Sequence, residues 1–285
     1  MKIQTPLRYP GGKSKAYPYI RELTSINKCN TYIEPYAGGA GVAISLLLNE
    51  DVKKIIINDY DKAIYAFWYS VINFTEDLIA LIMNTDVTIE EWYIQRSIYQ
   101  KKEDIYDLLK IGFATLFLNR TNRSGILKAG VIGGKEQNGK YKLDCRFNKK
   151  DICEKILRIS KYKEQIQLYN MDAEIFVKEI IAKTESSFTF FDPPYYEKGP
   201  GLYTNFYNHQ NHLSLSQTIR KYMKSKMWIL TYDKNENILL MYKDFHYNEY
   251  FLNYSIGNPS KGIEYIFYSK LLNRGDISKY LKTTS

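Results

Sequence analysis

The residues of this chain best equipped for chemistry are Asp-Pro-Pro-Tyr at 192–195, within SFTFFDPPYYEKGPG (187–201). Ser187–Phe191 is rich in aromatic and β-branched types and reads as a short buried strand. Pro193 and Pro194 cannot donate to a ladder, so the strand must stop at Asp192. An acid, a carbonyl without a neighbouring N–H and two aromatic faces are thereby left at the strand's end. Such a group suits the planar exocyclic amino group of a purine, a poor nucleophile while its lone pair is delocalised into the ring. Two acceptors that take both amino hydrogens out of the ring plane favour a pyramidal nitrogen with its lone pair available. Asp192 and the Pro193 carbonyl are candidates for those acceptors, and Tyr195 for a face that stacks the base for in-line attack. A Pro-Pro turn with surface tyrosines is the alternative, disfavoured where a buried strand and an acid coincide.

A second group lies in TYIEPYAGGAG (31–41). Glu34 ends a strand before Pro35, and Gly38, Gly39 and Gly41 let backbone come close to a ligand at a helix N-terminus. Asp59 ends the next strand, twenty residues after Gly39, where a carboxylate can accept from two ribose hydroxyls. The dinucleotide pattern G-x-G-x-x-G fails, because Ile44 stands where its third glycine belongs. The loop by itself reads as a site for a nucleoside-containing cofactor of unspecified type, or as a tight turn.

These groups need a sheet to position them. Residues 31–61 read as strand, glycine loop, helix (42–50) and strand (53–61), a βαβ unit with a parallel pair and a right-handed crossover. IQLYNMD (166–172) with helical AEIFVKEIIAK, the strand 187–191, a helix over 213–225 and a strand over 227–233 continue the alternation. Strands over 245–251 and 262–269 follow. In an open α/β sheet, ligands bind outside the carboxyl ends of the strands. About a hundred residues interrupt the alternation: helical patterns dominate 61–118, and 122–147 is glycine-rich, basic and turn-prone. The expected fold is a doubly wound, mostly parallel α/β sheet. Residues 1–61 and 164–285 form its core, and 62–163 a helical and hairpin-bearing insertion.

Charge sharpens this division. Ile94–Gln165 carries 17 Lys/Arg against 8 Asp/Glu, an excess equal to the whole net charge of +9. Its placement on the insertion favours a polyanion-facing element over a merely solvated lysine-rich surface. The start of the chain shows no signal-peptide pattern, and no apolar run approaches membrane-spanning length. Three scattered cysteines, Cys29, Cys145 and Cys153, suit a reduced, cytoplasmic setting.

At this point the chain resembles the Dam-like DNA adenine-N6 methyltransferases. The resemblance spans nearly its full length and rests on four motifs in the family's order: LRYPGGKSKAYPYI (7–20), YIEPYAGGAG, NDYD and FFDPPYY. It implies S-adenosylmethionine as cofactor, double-stranded DNA as partner and a mixed seven-stranded sheet ending in an antiparallel hairpin. It further implies that Tyr9 and Lys13 line the cofactor site, that Asp59 holds the ribose hydroxyls, and that Asp192 binds the target amino group. Asp172, at a strand end before a helix, is the candidate for the cofactor's adenine. The base must leave the stack to be reached, and 195–207, with Gly199 and Gly201 as hinges and Tyr203 nearby, is the candidate loop over it. LNRTNRSG (118–125) sits where family members place DNA-contacting side chains. Asn119, Arg120 and Arg123 are the candidates there, with Lys128, Lys140 and Arg146 as phosphate contacts or solvated charges. A cognate restriction endonuclease is a candidate partner outside this chain, and the expected state is a monomer or weak dimer.

The same chemistry on cytosine N4, RNA adenine or a protein glutamine stands as the nearer alternative. Asp rather than Ser or Asn before Pro-Pro favours DNA adenine. A binding module that has lost catalysis would not need Asp192, Asp59 and the glycine loop together. A nicotinamide dehydrogenase is disfavoured by Ile44. His209 and His212 lack the companions of a metal site and read as structural or surface residues, and no metal is expected. Trp68 and Trp92 read as core.

Overall fold

The computed structural model describes residues 4–8, 13–197, 207–254 and 260–284. Along the chain run α1 (Tyr17–Ile26), β1 (Thr31–Glu34), α2 (Gly41–Leu48) and β2 (Lys54–Asn58). The helices α3 (Lys62–Asn73), α4 (Thr75–Asn84), α5 (Ile89–Gln100), α6 (Leu108–Thr121) and α7 (Lys149–Ser160) follow. The chain then gives β3 (Ile166–Tyr169), α8 (Ala173–Glu179), β4 (Ser187–Phe191), α9 (His209–Tyr222), β5 (Met227–Asp233), α10 (Glu236–Met241), β6 (His246–Tyr254) and β7 (Ser260–Tyr268). It divides into two compact units, Lys13–Tyr60 with Gln165–Ser285, and Asp61–Glu164 with the residues before Lys13.

The first unit is built on a seven-stranded sheet of order β3-β2-β1-β4-β5-β7-β6. Strands β1 to β5 pair in parallel, and β7 enters antiparallel between β5 and β6. All five residues of β4 are buried, as are the last six of β5, which explains their nearly continuous apolar character. Ile33, Ile56, Phe191 and Leu230 of the sheet share one core with Phe176 of α8, Leu215 and Ile219 of α9 and Ile238 of α10. Each such fully buried side chain contributes roughly 1.5–3 kcal/mol of transfer free energy. Strand order reverses between β1 and β4, the place where doubly wound sheets open a crevice.

Local chemistry sets the helix starts. Asp172 caps α8, accepting from Glu174 and Ile175 N–H, and Asn208 forms a reciprocal box with Asn211 at the start of α9. That box carries α9 back to His209, four residues before the start expected from the apolar pattern. The six-residue α10, capped by Asn235, was not expected from sequence.

In the second unit α6 is the central helix, with every residue from Ile111 to Thr121 buried. A Cβ on Gly112 would stand 2.4 Å from Ser70 Oγ and 2.6 Å from the Ala66 carbonyl, so glycine lets α3 and α6 cross closely. Trp68 and Trp92 are core residues, the latter donating to Asn122 Oδ1 at 2.7 Å. The glycine-rich stretch after α6 folds as short turns, with one isolated antiparallel bridge between Asn122 and Val131.

Candidate active site

Each of the five parallel strands delivers an acid at or just beyond its carboxyl end. Glu34 is the last residue of β1 and Asp233 the last of β5, Asp59 and Asp192 directly follow β2 and β4, and Asp172 closes the turn after β3. Strand β7 runs the other way, so Glu264, its fifth residue, pairs with Asp233 and reaches this same edge from mid-strand.

Asp192 is held by two donors, the Thr231 hydroxyl at 2.7 Å and the Lys13 ammonium at 3.1 Å. Both meet Oδ1, and among the described residues none binds Oδ2; the side chain stays 22% exposed. Lys13 is buried, also lies 3.2 Å from Glu264 Oε2, and donates to the Tyr195 hydroxyl. Glu264 is completely buried and accepts from the hydroxyls of Tyr195 and Tyr250. Burial and the Glu264 charge raise the Asp192 carboxyl above its ordinary range, against the pull of Lys13. Burial disfavours charge on Lys13, but Asp192 and Glu264 outweigh it and keep the ammonium above its ordinary value.

Pro193, Pro194 and Tyr195 are buried behind this acid. Tyr195 is only 3% exposed, with Lys13 over its ring at 4.8 Å, so it offers little face to a base. The turn that follows is gripped by Asp233, whose two oxygens accept from the backbone N–H of Tyr196 at 2.9 Å and Glu197 at 3.1 Å. Tyr196 shares a hydrogen bond with His209 Nδ1 at 2.7 Å, and the buried His212 shares one with Tyr232 at 2.9 Å. The hinge candidates Gly199 and Gly201, with Tyr203, lie outside the described residues, as does Tyr9.

On the β1–β2 side, the Gly38 N–H donates to Asp59 Oδ2 at 2.8 Å. Gly38 (φ 47°) and Ala40 (φ 45°) are both left-handed, which folds the chain back on itself before Gly41 opens α2. Gly38 takes this conformation freely, whereas Ala40 pays about 1–2 kcal/mol for it. Gly39 is buried between them. Glu34 is buried, accepting from Tyr32 Oη at 3.0 Å and Ala43 N–H at 3.1 Å. Burial pushes its carboxyl up to about 8, with the Asp192 charge adding to the effect. Asn58 donates to the carbonyls of Pro35 and Met171, both at 3.0 Å, and so joins the turns after β1 and β3. Asp172 is exposed and spends one oxygen on its cap.

Residues 9–256 match the family described as D12 class N6 adenine-specific DNA methyltransferases. The chain belongs to this family. It is also 28% identical over 212 residues to the type II methyltransferase M.MjaIII of Methanocaldococcus jannaschii, covering 68% of this chain and 70% of that one. It is therefore an adenine-specific DNA methyltransferase, and membership implies S-adenosylmethionine as methyl donor and DNA as substrate. Among the described residues, no single helix is long and apolar enough to cross a membrane.

In this D12 methyltransferase, the residues expected to meet DNA divide into two sets. Arg123, Lys128, Lys140 and Arg146 are exposed. Asn119 and Arg120 are turned inward. Asn119 accepts from the Arg8 N–H at 2.8 Å and donates to the carbonyls of Arg8 at 2.7 Å and Gly125 at 2.9 Å. Arg120 donates to the carbonyls of Pro6 and Arg146, and burial lowers its guanidinium to about 10, with Arg8 adding to the effect. Gly125 (φ 76°) passes the Arg8 carbonyl so closely that a Cβ would stand 2.6 Å from it.

The sequence reading missed Thr231, Asp233, Asn58 and Glu264. The first two close the strand MWILTYD, where a hydroxyl and an acid at the carboxyl end were a usable signal. Asn58 stands beside Asp59 in NDYD. Glu264, inside SKGIEYIFY, carried no such signal.

Proposed function

We propose that the enzyme methylates the N6 amino group of a flipped-out adenine in duplex DNA, with Asp192 Oδ2 and the Pro193 carbonyl accepting the two amino hydrogens. The observation that carries this reading is the asymmetry of Asp192: one oxygen is pinned twice, no described residue binds the other, and the side chain stays partly exposed. A carboxylate fixed in this way needs no reorganisation when the amino nitrogen gains positive charge. Tyr195 contributes by fixing Lys13, and stacking falls to other aromatic side chains, of which Tyr196 is the nearest in sequence. The adenine is drawn from the helix because its amino group is paired there.

The chain's own residues suit S-adenosylmethionine. The left-handed turn at Gly38–Ala40 brings backbone close, Asp59 stands where ribose hydroxyls can donate to it, and the surrounding acids favour a sulfonium cation. Glu34, Pro35, Gly38, Gly39, Gly41 and Asp59 would hold the nucleoside, with Asp172 at its margin; when bound, the cofactor supplies the methyl group on its sulfonium. Lys13 would face the cofactor from within its acid pair, and Tyr9 stays assigned by resemblance alone.

Residues 62–163 are read as the target-recognition region, with Arg123, Lys128, Lys140 and Arg146 meeting phosphates or base edges. Asn119 and Arg120 are read as its framework, since their polar atoms serve the backbone of Arg8, Gly125, Pro6 and Arg146. The type II designation of the archaeal relative supports a cognate restriction endonuclease as partner. Digestion of treated duplex DNA to nucleosides tests the reading. N6-methyladenine is expected, and N4-methylcytosine or no modified nucleoside would overturn it.

A further inference from the structure

We infer that Glu264 is a positioning residue for methyl transfer, acting on Asp192 through the ammonium of Lys13. The inference rests on the role given to Asp192 above. A Lys13–Asp192 pair is already neutral, so a second buried acid is not needed to balance it. Desolvating that extra carboxylate costs free energy that only good pairing offsets. The sheet nevertheless places Glu264 completely buried at mid-strand, with Lys13 on Oε2, the Tyr195 hydroxyl on Oε1 and the Tyr250 hydroxyl on Oε2.

The geometry gives this acid two effects. Glu264 tethers the ammonium at 3.2 Å while it stands 3.1 Å from Asp192 Oδ1, so Lys13 stays on Oδ1 and leaves Oδ2 to the substrate. Its charge also leaves the three-group cluster with a net negative charge, so Lys13 does not cancel the acceptor strength of Asp192. The groups around the cluster are the Thr231 hydroxyl on β5, Tyr250 on β6 and Tyr195 in the turn after β4. Glu34 and Tyr32 on β1 and Tyr232 on β5 interact with Asp192 at longer range. Consistently, Glu264 is one of the groups that raise the Asp192 carboxyl.

The test is the pH profile of kcat for Glu264→Gln, with cofactor affinity measured separately by calorimetry. The amide keeps the shape and removes the charge. Cofactor affinity should stay within about twofold, while kcat falls about tenfold and its acid limb moves about one pH unit lower, because Asp192 ionises more easily without a neighbouring charge. Tyr250→Phe provides a second route if the amide variant does not fold. It removes a donor that offsets the Glu264 charge, so that charge bears more fully on Asp192 and the acid limb should move to higher pH. A folded Glu264→Gln enzyme with unchanged kcat and limb, or an unmoved limb in Tyr250→Phe, overturns the assignment. Failure of the unaltered enzyme to methylate adenine would count against the role of Asp192 instead, so the two failures are distinct.

Discussion

The Lys13 ammonium stands 3.1 Å from Asp192 Oδ1, joining the segment before α1 to the acid at the end of β4. With the Thr231 hydroxyl on the same oxygen, it turns an acid on a strand end into a fixed acceptor with one oxygen to spare.

Asp192→Ala removes the acceptor and leaves Lys13 paired with Glu264. Methyl transfer should fall by roughly a thousandfold or more, while cofactor binding persists. Single-turnover kinetics alongside calorimetry separate the two effects.

Asp59→Ala should do the reverse. It removes the carboxylate that accepts from Gly38 N–H and faces the proposed ribose position. Cofactor Kd should rise about tenfold or more, as expected for a lost charge-assisted hydrogen bond, with kcat at saturation changed much less. Exchanged phenotypes in these two variants would refute the assignment of roles.

Glu34 makes stability depend on pH. Its carboxyl titrates near pH 4.5 when unfolded and is pushed up to about 8 in the fold. Below the lower value both states are protonated. Between the two values the unfolded chain ionises while the folded chain resists, so stability falls as pH rises. Glu34→Gln should therefore raise the melting temperature at pH 8 more than at pH 5, which thermal scans at both values will read. An equal shift at both would show that Glu34 ionises normally.

Charge reversal should separate surface cations from framework ones. Arg123→Glu and Lys140→Glu should each weaken DNA binding and lower its salt slope by about one. Arg120→Met instead removes donors to the Pro6 and Arg146 carbonyls and should lower the melting temperature. Titrations across salt concentration, paired with thermal scans, distinguish the two behaviours.

The parts of the molecule that sequence made legible are those governed by local chemistry. Pro193 and Pro194 end β4 wherever the chain goes, so Asp192 had to stand at a strand terminus. Gly38–Gly41 between two apolar strands implied a βαβ turn, and the sheet has it. Glu264 stayed hidden because its position depends on β7 inserting antiparallel between β5 and β6, a pairing no local pattern announces. In IEYIF an acid between apolar neighbours reads as an outward-facing strand residue, yet it is among the most buried groups of the chain. Arg120 was read toward DNA because LNRTNRSG sits where family members place DNA-contacting side chains. The apolar density of GFATLFLNRT was the overlooked sign that this helix is buried on all sides. Tyr195 likewise reads as a stacking face until Lys13 and Glu264, both distant in sequence, are seen to claim it.

The central claim is that Asp192 Oδ2 receives the amino group of the target base. A crystal structure with a duplex containing the target adenine and an unreactive S-adenosylmethionine analogue measures this directly. The adenine N6 is expected at about 2.7–3.2 Å from Oδ2, with Thr231 and Lys13 still on Oδ1. An adenine bound elsewhere, or an Asp192 closed off from both base and cofactor, would contradict it.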